Sequence, residues 1–381
     1  MANPSRRKAL IQKLSLSAGA FFIALLVVEL ALQIHNPFSG RVKGDRIVLP
    51  VNQVYTFTND HIPSLDKAIV HSKNSLGFRG AEQPENPAEH LTIVTVGGST
   101  SECSYLSDNE TWPDHLGNRL SKSFNNLWIN NAGLDGHSTF GHTVLMQDYI
   151  TPLKPKVVVY LVGVNDIGLA GPRRHDNRIL KHSGEGGIKG LLKTGANYSE
   201  VMAVGLNIIR AFQARNRGVA HQRIDLKALP SLEQTAEQID DALAAHDPAF
   251  LAGYRQRLHQ LIDIAQASDI DPVLVTQPSL LGPEIDSKTG VNLATLPTFE
   301  ERSSALAWAI LEKYNAVTRQ VAADADIPLI DLATKMPKSS EFYYDYYHFN
   351  DAGAEVVADI IASDLAAVLR ETFPAFAREQ E

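Results

Sequence analysis

The amino-acid sequence predicts an α/β fold, in which a parallel five-stranded sheet carries helices on both faces. Short apolar runs alternate along the chain with segments of helical periodicity, a pattern typical of parallel sheets. The clearest run, Val157–Val162, is apolar throughout, as strands buried on both faces are. The predicted strands are Leu91–Val96, Leu127–Asn131, Val157–Val162, Pro272–Thr276 and Ile327–Leu332.

Apolar residues at helical spacing predict helices at Thr111–Leu120, Glu301–Ala323 and Asp351–Leu369. The interval between the third and fourth strands, roughly Ile167 to Ala267, is too long for a simple crossover. We interpret it as a helical insertion at about 168–267, over or beside the active site. Within it, helices are predicted at Val201–Phe212, Leu232–Leu243 and Tyr254–Ile264.

The first part of this insertion is basic, although the protein as a whole is acidic. A solvated face is one interpretation of these charges, and contact with membrane head groups or an anionic substrate is the other. The basic residues are Arg173, Arg174, Arg178, Lys181, Lys189 and Lys193.

Composition excludes several classes of function. The formal net charge is -8, so the surface does not attract phosphate backbones, and no nucleic-acid partner is expected. The chain has a single cysteine, Cys103, which excludes an internal disulfide and a multi-cysteine metal site. We expect no metal and no organic cofactor.

The amino-terminal segment Leu14–Ile34 is apolar and long enough to cross a bilayer as a helix. Its single charge, Glu29, lies near the far end, where a carboxylate can reach the interface. We therefore predict that residues 1–35 form a cytoplasmic tip and a transmembrane anchor. The alternatives are a cleaved signal peptide, for which the cleavage site is poor, and a buried core helix.

Basic residues before the span favour a cytoplasmic amino terminus and a single-pass protein of the inner membrane, with an extracytoplasmic catalytic domain. They are Arg6, Arg7, Lys8 and Lys13. Residues 36–89 are rich in turn residues and are predicted to be an irregular linker that packs on the domain. The catalytic domain is predicted at 90–372.

Polar residues follow the predicted strands in an order that suggests catalysis. Ser99 stands in a glycine-lined turn after the first strand, and Gly136 lies in the loop after the second. Asn165 follows the third strand. Asp345 precedes His348 by three residues, so its carboxylate can hold Nδ1–H and leave Nε2 as a base.

The order and spacing of these elements resemble those of the SGNH hydrolases, a subdivision of the GDSL-type lipases and acylhydrolases. Gly97-Gly98-Ser99-Thr100 matches the first block of the family, and Gly136 matches the second. Asn165 matches the third, and Asp345 with His348 matches the fifth. The segment from Asn74 to Gly80, which reads NSLGFRG, also resembles a stretch upstream of the first block in bacterial relatives.

The resemblance implies a flavodoxin-like three-layer α/β/α sandwich and hydrolysis of carboxylic esters. It assigns Ser99 as nucleophile, His348 as general base and Asp345 as the residue that orients His348. The oxyanion hole would consist of the Ser99 and Gly136 N–H groups and the Asn165 side-chain amide. The chain departs from the family pattern at Gly98, where the namesake motif has Asp, and at Phe349, where proline often follows the histidine.

Other polar residues near these blocks receive structural interpretations. Cys103 has no paired base in the sequence, and buried free cysteines are commonly inert. Asp166 is expected to hold the turn of the third block, and Trp112 to occupy a core position. A structural role is favoured for His137, with substrate contact as the alternative. Most tyrosines near the triad are expected to pack, with one or two lining a pocket: Tyr343, Tyr344, Tyr346 and Tyr347.

These features favour a membrane-anchored esterase whose substrate is an acyl ester, including an acylated glycan of the cell envelope. An acyltransferase would use the same triad and differ only in the attacking hydroxyl. An inactive glycan-binding scaffold is the alternative from another class.

Overall fold

The computed structural model describes residues 4–34, 42–43, 46–172, 195–196, 198–215, 221, 223–298 and 302–379. Two compact units divide the chain. One comprises Met1–Pro50 and Arg178–Ala220, and the other comprises Val51–Asn177 and His221–Glu381. We call them the amino-terminal unit and the hydrolase unit. The basic residues predicted at 173–193 lie outside the described residues.

The described helices and strands are numbered in chain order. The helices are α1 (Pro4–Ile34), α2 (Ser99–Glu102), α3 (Trp112–Leu120), α4 (Thr139–Leu145), α5 (Glu200–Arg215), α6 (Ala236–Ala245), α7 (Pro248–Gln266), α8 (Ser304–Asp324), α9 (Leu332–Lys335) and α10 (Asp351–Thr372). The strands are β1 (Val42–Lys43), β2 (Arg46–Ile47), β3 (Gln53–Thr58), β4 (Ala68–Lys73), β5 (Leu91–Gly97), β6 (Leu127–Asn131), β7 (Val157–Leu161), β8 (Asp271–Val275) and β9 (Leu329–Ile330). Short helical turns occur at Pro87–Glu89, Met146–Ile150, Thr151–Leu153, Val164–Asp166, Leu293–Thr295 and Pro374–Phe376.

The hydrolase unit is built on a five-stranded sheet in the order β6-β5-β7-β8-β9. Every pair of neighbouring strands is parallel. Counted along the chain, this is the doubly wound order of flavodoxin-like folds, and the order reverses between β5 and β7. The predicted α/β class and the five-stranded parallel sheet are confirmed.

Both faces of the sheet are buried, which explains the apolar runs in the sequence. Val157, Val159 and Leu161 of β7 point into a core shared with α3 and α10. Tyr160, between them, faces the other way, and its hydroxyl donates to the carbonyl of Leu261 on α7. Helix α7 in turn packs against α4 and α8. Alternate residues of one strand therefore serve two separate layers of helices.

The segment predicted to be an irregular linker contains an antiparallel hairpin of β3 and β4, so that part of the prediction was wrong. The alternation of aromatic and polar residues in Tyr55-Thr56-Phe57-Thr58 was the missed signal, because every second side chain of β3 is exposed. The hairpin is tied to the hydrolase unit, where Asp108 accepts a hydrogen bond from the N–H of Ser72 at 2.9 Å. Ile62 and Leu65, between its strands, join the core.

Several helix boundaries differ from the predicted ones because capping residues set them. Helix α6 begins after Thr235, whose side chain forms a capping box with Gln238. Helix α7 begins six residues before the predicted Tyr254, because Asp247 caps it and Pro248 takes its first position. Strand β9 is shorter than predicted, since α9 already begins at Leu332.

The amino-terminal unit contains α1 and α5, which pack against each other. Within the described part of the chain, Ile11–Ile34 of α1 is the one segment long and apolar enough to cross a membrane. Glu29, the single charge of the predicted span, accepts hydrogen bonds from the start of α5. Its donors are the Ser199 hydroxyl at 2.8 Å and the backbone N–H groups of Glu200 at 2.8 Å and Val201 at 3.1 Å.

Candidate active site

Three side chains predicted from separate parts of the sequence meet at the carboxyl end of the sheet. Ser99 is the first residue of α2, directly after β5. Its Oγ lies 2.7 Å from Nε2 of His348. On the other side of the ring, His348 Nδ1 lies 2.7 Å from Oδ2 of Asp345. This is a continuous hydroxyl–imidazole–carboxylate chain.

The loop before α10 fixes the Asp345 carboxylate. Its Oδ1 accepts the backbone N–H groups of Tyr347 at 2.9 Å and His348 at 2.8 Å, while Oδ2 faces the imidazole. Both oxygens thus bind within a stretch of four residues, which is the local reason for the Asp-x-x-His spacing. Asn350 caps α10 by accepting the N–H of Gly353 and ends the loop.

Burial and charge act in opposite directions on this pair. Burial alone would lower the pKa of His348, but the Asp345 carboxylate and its hydrogen bond bring the pKa above the usual histidine value. Burial would raise the pKa of Asp345, but the interactions with His348 and two backbone N–H groups bring it below the usual range. Asp345 is therefore ionised at neutral pH, so that His348 Nδ1 carries the proton that the carboxylate accepts.

The other side of Ser99 carries the residues predicted for the oxyanion hole. Gly136 lies in the loop after β6 with a positive φ of 74°, a conformation that favours glycine. This loop is tied to the serine turn, because the Leu134 N–H donates to the Gly97 carbonyl at 3.0 Å. Asn165 stands in the turn after β7, and its Nδ2 donates to the His137 carbonyl at 3.0 Å.

Gly98 leaves the space that Asn165 occupies. A β-carbon added to Gly98 would lie 2.4 Å from Asn165 Nδ2, well inside van der Waals contact. Any side chain at position 98 would therefore displace the Asn165 amide.

A buried ion pair connects α2 to the hairpin and to the Gly136 loop. Glu102, the last residue of α2, accepts from Lys73 Nζ of β4 at 3.2 Å, and both side chains are almost fully buried. Its second oxygen accepts the N–H of Asp135 at 2.5 Å, next to Gly136. Glu102 therefore couples the position of α2 to that of the Gly136 loop.

Arg79 of the NSLGFRG segment binds backbone carbonyl groups at the carboxyl end of α2. Its buried guanidinium donates to the carbonyls of Glu102 at 2.9 Å, Cys103 at 2.8 Å and Leu106 at 2.9 Å. It also forms an ion pair with Asp108 at 2.9 Å. The NSLGFRG segment thus binds α2, the helix that begins at Ser99.

The sequence analysis missed His221, which packs against His348 with ring centroids 4.1 Å apart. Its Nδ1 lies 2.8 Å from the hydroxyl of Tyr344, and the Tyr344 ring is stacked nearly parallel to the His348 ring, with centroids 5.6 Å apart. His221 lies far from any motif in the sequence, so no spacing could have indicated it. It comes from the insertion, whose predicted position beside the active site was the available signal.

A cavity of about 210 Å³ opens beside Ser99 and His348. Its walls combine polar, aromatic and aliphatic side chains, which suits a ligand that is partly polar. The lining residues are Ser99, Val164, Asn165, Ile167, Thr298, Arg302, Ala307, Ile310, Tyr346, Tyr347 and His348.

The remaining residues singled out in the sequence have structural surroundings. Cys103 is buried, and burial raises the pKa of its thiol to about 12. Trp112 is fully buried and donates from Nε1 to the Thr100 carbonyl. Asp166 accepts from Thr139 and pairs with Arg257 at 3.1 Å, which links the third block to α4 and α7. Tyr343 packs against Phe349 at 5.3 Å.

Among the described residues, one group of side chains has the spacing to hold a metal ion. His221, Asp345 and His348 each offer a ligand atom, and these atoms lie within 4.8 Å of one another. Two of the three already form the chain that ends at Ser99.

Residues 95–356 match the family model described as the GDSL-like lipase/acylhydrolase family. Because the match covers more than half of the chain, the protein belongs to this family. It is accordingly a carboxylic ester hydrolase, as the sequence analysis expected. No curated protein sequence matches the chain.

Similar solved structures include three bacterial or environmental enzymes. A lipase/acylhydrolase from Enterococcus faecalis is 15% identical, with 76% of this chain and 100% of that chain covered and a TM-score of 0.41. An acetylxylan esterase from Geobacillus stearothermophilus is 12% identical, with 72% and 93% covered and a TM-score of 0.40. An α/β hydrolase from the metagenome of Lake Arreo, Spain, is 13% identical, with 73% and 97% covered and a TM-score of 0.42.

Proposed function

We propose that this protein is a membrane-anchored, extracytoplasmic serine esterase that removes acyl groups from a cell-envelope glycan. Ser99 is the nucleophile, His348 the general base and Asp345 the residue that orients the imidazole. The observation that carries the proposal is the pair of 2.7 Å contacts, from Ser99 Oγ to His348 Nε2 and from His348 Nδ1 to Asp345 Oδ2.

The reaction follows from these contacts. His348 Nε2 takes the Ser99 proton as Oγ attacks the acyl carbonyl, and Asp345 stabilises the resulting imidazolium. His348 then gives that proton to the leaving alcohol, and the acyl group remains on Ser99. A water molecule activated by the same imidazole hydrolyses the acyl-enzyme and restores the serine hydroxyl.

The negative charge that develops on the carbonyl oxygen of the substrate needs hydrogen-bond donors close to Ser99. The Asn165 amide adjoins the serine turn through Gly98, and the Gly136 loop is bound to the same turn. We assign the oxyanion hole to the N–H groups of Ser99 and Gly136 and to the Asn165 side chain. The loss of one such donor typically costs about 3–4 kcal/mol of transition-state stabilisation.

An acylated sugar is the substrate class that the cavity favours. Tyr346 and Tyr347 line it beside Ser99, and flat aromatic rings with polar edges suit the mixed apolar and hydroxylated surface of a sugar. The cavity of about 210 Å³ fits a small acyl group and the sugar carbon that carries it. An extracytoplasmic anchor would keep such an enzyme close to envelope glycans.

The anchor is assigned to Ile11–Ile34 of α1, which passes the length and composition required of a single span. Basic residues before this segment favour a cytoplasmic amino terminus. In intact spheroplasts, added protease should therefore degrade the hydrolase unit and leave a short protected fragment. Full protection of the hydrolase unit would contradict the orientation.

The Ser99→Ala variant tests the enzymatic assignment. The hydrolysis rate should fall by a factor on the order of a million, because nothing else accepts the acyl group. The rates would be measured with nitrophenyl esters of increasing chain length and with acetylated sugars. Ser104→Ala is the matched control and should retain activity. An unchanged rate in Ser99→Ala would refute the proposed nucleophile. Transfer of the acyl group to a glycan hydroxyl, instead of to water, would indicate an acyltransferase.

A further inference from the structure

Glu29 presents a physical problem if α1 spans a bilayer. It lies five residues before Ile34, the end of the apolar segment, which is about 7.5 Å along the helix axis. A carboxylate at such a depth is costly unless donors satisfy it. In the amino-terminal unit, Gln33 Nε2 of α1 donates to this carboxylate, and so do the Ser199 hydroxyl and the N–H groups of Glu200 and Val201 at the start of α5.

The same contacts determine the depth of α5. Hydrogen bonds of 2.8–3.1 Å leave no room between Glu29 and the first turn of α5. Wherever Glu29 lies in the membrane, the first turn of α5 therefore lies there too.

A stripe of half-buried residues on α1 agrees with this position. Leu25, Glu29 and Leu32 are shielded, whereas the side chains around them are exposed. Their spacing places them on one face of the helix. On α5, Ala203 is buried at 4% exposure.

An apolar side chain is exposed on the described part of α5. Ile208 is 53% exposed to solvent, and helix α5 packs against α1, the helix that we assign to the membrane. Tyr198, just before the helix, is 75% exposed and is of the type that collects at membrane interfaces. With 16 residues, α5 is about 24 Å long, too short to cross a hydrocarbon core of about 30 Å by itself.

We propose that α5 is a second membrane-associated element, docked on the anchor through Glu29, with the exposed Ile208 side chain in contact with lipid. The occupant of the surface at Ile208 is the bilayer itself, because the exposed surface of α1, the helix to which α5 is bound, is also apolar. This inference rests on the proposed anchor. It adds that the insertion returns to the membrane and that the carboxylate of the span is its docking point.

The test uses spin labels on the full chain in phosphatidylcholine/phosphatidylglycerol vesicles. Labels are placed at Phe22→Cys on the anchor, Ile208→Cys on α5 and Thr372→Cys on the hydrolase unit. Cys103 is buried and contributes little background. Collision with oxygen, which partitions into lipid, is compared with collision with a water-soluble nickel chelate.

We expect the labels at positions 22 and 208 to favour oxygen and the label at position 372 to favour the nickel chelate. If position 22 favours oxygen but position 208 favours nickel, or is shielded from both, the inference fails while the anchor stands. If position 22 favours nickel, the anchor itself fails and the inference with it.

Glu29 variants test the docking point in the Ile208→Cys background. Glu29→Ala removes the acceptor, so the label at position 208 should lose its preference for oxygen. Glu29→Gln keeps one acceptor oxygen and should retain much of it. Hydrolysis of a soluble ester should be unchanged in both variants and serves as the check on folding. An unaltered label in Glu29→Ala would contradict the docking role.

Discussion

At the scale of single residues, the contact between His348 and Asp345 would determine the pH range of the proposed mechanism. In that mechanism His348 must be neutral to accept the Ser99 proton, and Asp345 raises the pKa of His348 above the usual value of about 6.5. Below the raised pKa the imidazole is charged and the enzyme inactive. The acid limb of kcat/KM should therefore have its midpoint above that of an ordinary histidine. A midpoint clearly below that value would contradict the pairing.

The Asp345→Asn variant should move the acid limb of the kcat/KM profile to lower pH. Without the carboxylate, burial lowers the pKa of His348, so the remaining activity should persist to lower pH. The rate itself should fall by about four orders of magnitude, since an amide favours the wrong tautomer of the ring. The full pH profile of kcat/KM measures both effects. A reduced rate with an unmoved limb would mean that another group sets the pKa.

Gly98 offers a test of the Asn165 assignment. A methyl group at position 98 would meet Asn165 Nδ2 at 2.4 Å, so Gly98→Ala should displace the amide and lower kcat on the order of a hundredfold. Asn165→Ala should have a similar effect. Because both changes remove the same donor, the double variant should lose little more than either single one. Fully additive losses, with unchanged melting temperatures, would separate Gly98 from Asn165.

Ser99, Asp345, His348 and Asn165 could be located from the sequence because each lies in a short motif after a strand or before a helix. The contacts that fix the positions of these four residues could not be predicted from the sequence. Glu102 meets Lys73 across 29 positions, and both residues look like ordinary surface charges in the sequence. Their burial depends on the packing of the hairpin against α2, which no local pattern encodes.

At the scale of elements, the Asp166–Arg257 pair joins the turn after β7 to α7. Asp166 is completely buried and also accepts from Thr139 at the start of α4. Asp166→Ala leaves the Arg257 charge buried and unpaired, which should destabilise the fold by about 3–5 kcal/mol. Urea unfolding measures the loss. The double variant Asp166→Leu, Arg257→Met should recover part of the stability, and failure to do so would indicate that Thr139 dominates.

Elements with strong periodicity were predicted well, and those governed by tertiary contacts were not. β7 was evident because both of its faces are buried and all its residues are apolar. The β3–β4 hairpin was missed, since short, half-exposed strands with polar residues resemble loops. β9 retains only two paired residues, because Asp331 already precedes the first residue of α9 and its carboxylate binds Arg319.

At the scale of the whole molecule, the parallel sheet explains why distant motifs converge. The order β6-β5-β7 places the ends of the first three strands side by side, so that Ser99, Gly136 and Asn165 follow neighbouring strands. The loop before α10 then brings Asp345 and His348 to the same edge, although His348 is 249 positions away from Ser99 in the sequence. The parallel sheet thus brings residues that are distant in the sequence together at one edge.

The most direct test of this centre is the reaction of the folded protein with a fluorophosphonate, followed by intact mass and peptide mapping. We predict a single adduct on Ser99. His348→Ala should form it far more slowly, because the hydroxyl loses its base, whereas Ser104→Ala should react normally. An adduct on another residue, or undiminished labelling without His348, would contradict the assignment of Ser99 and His348 as a catalytic pair.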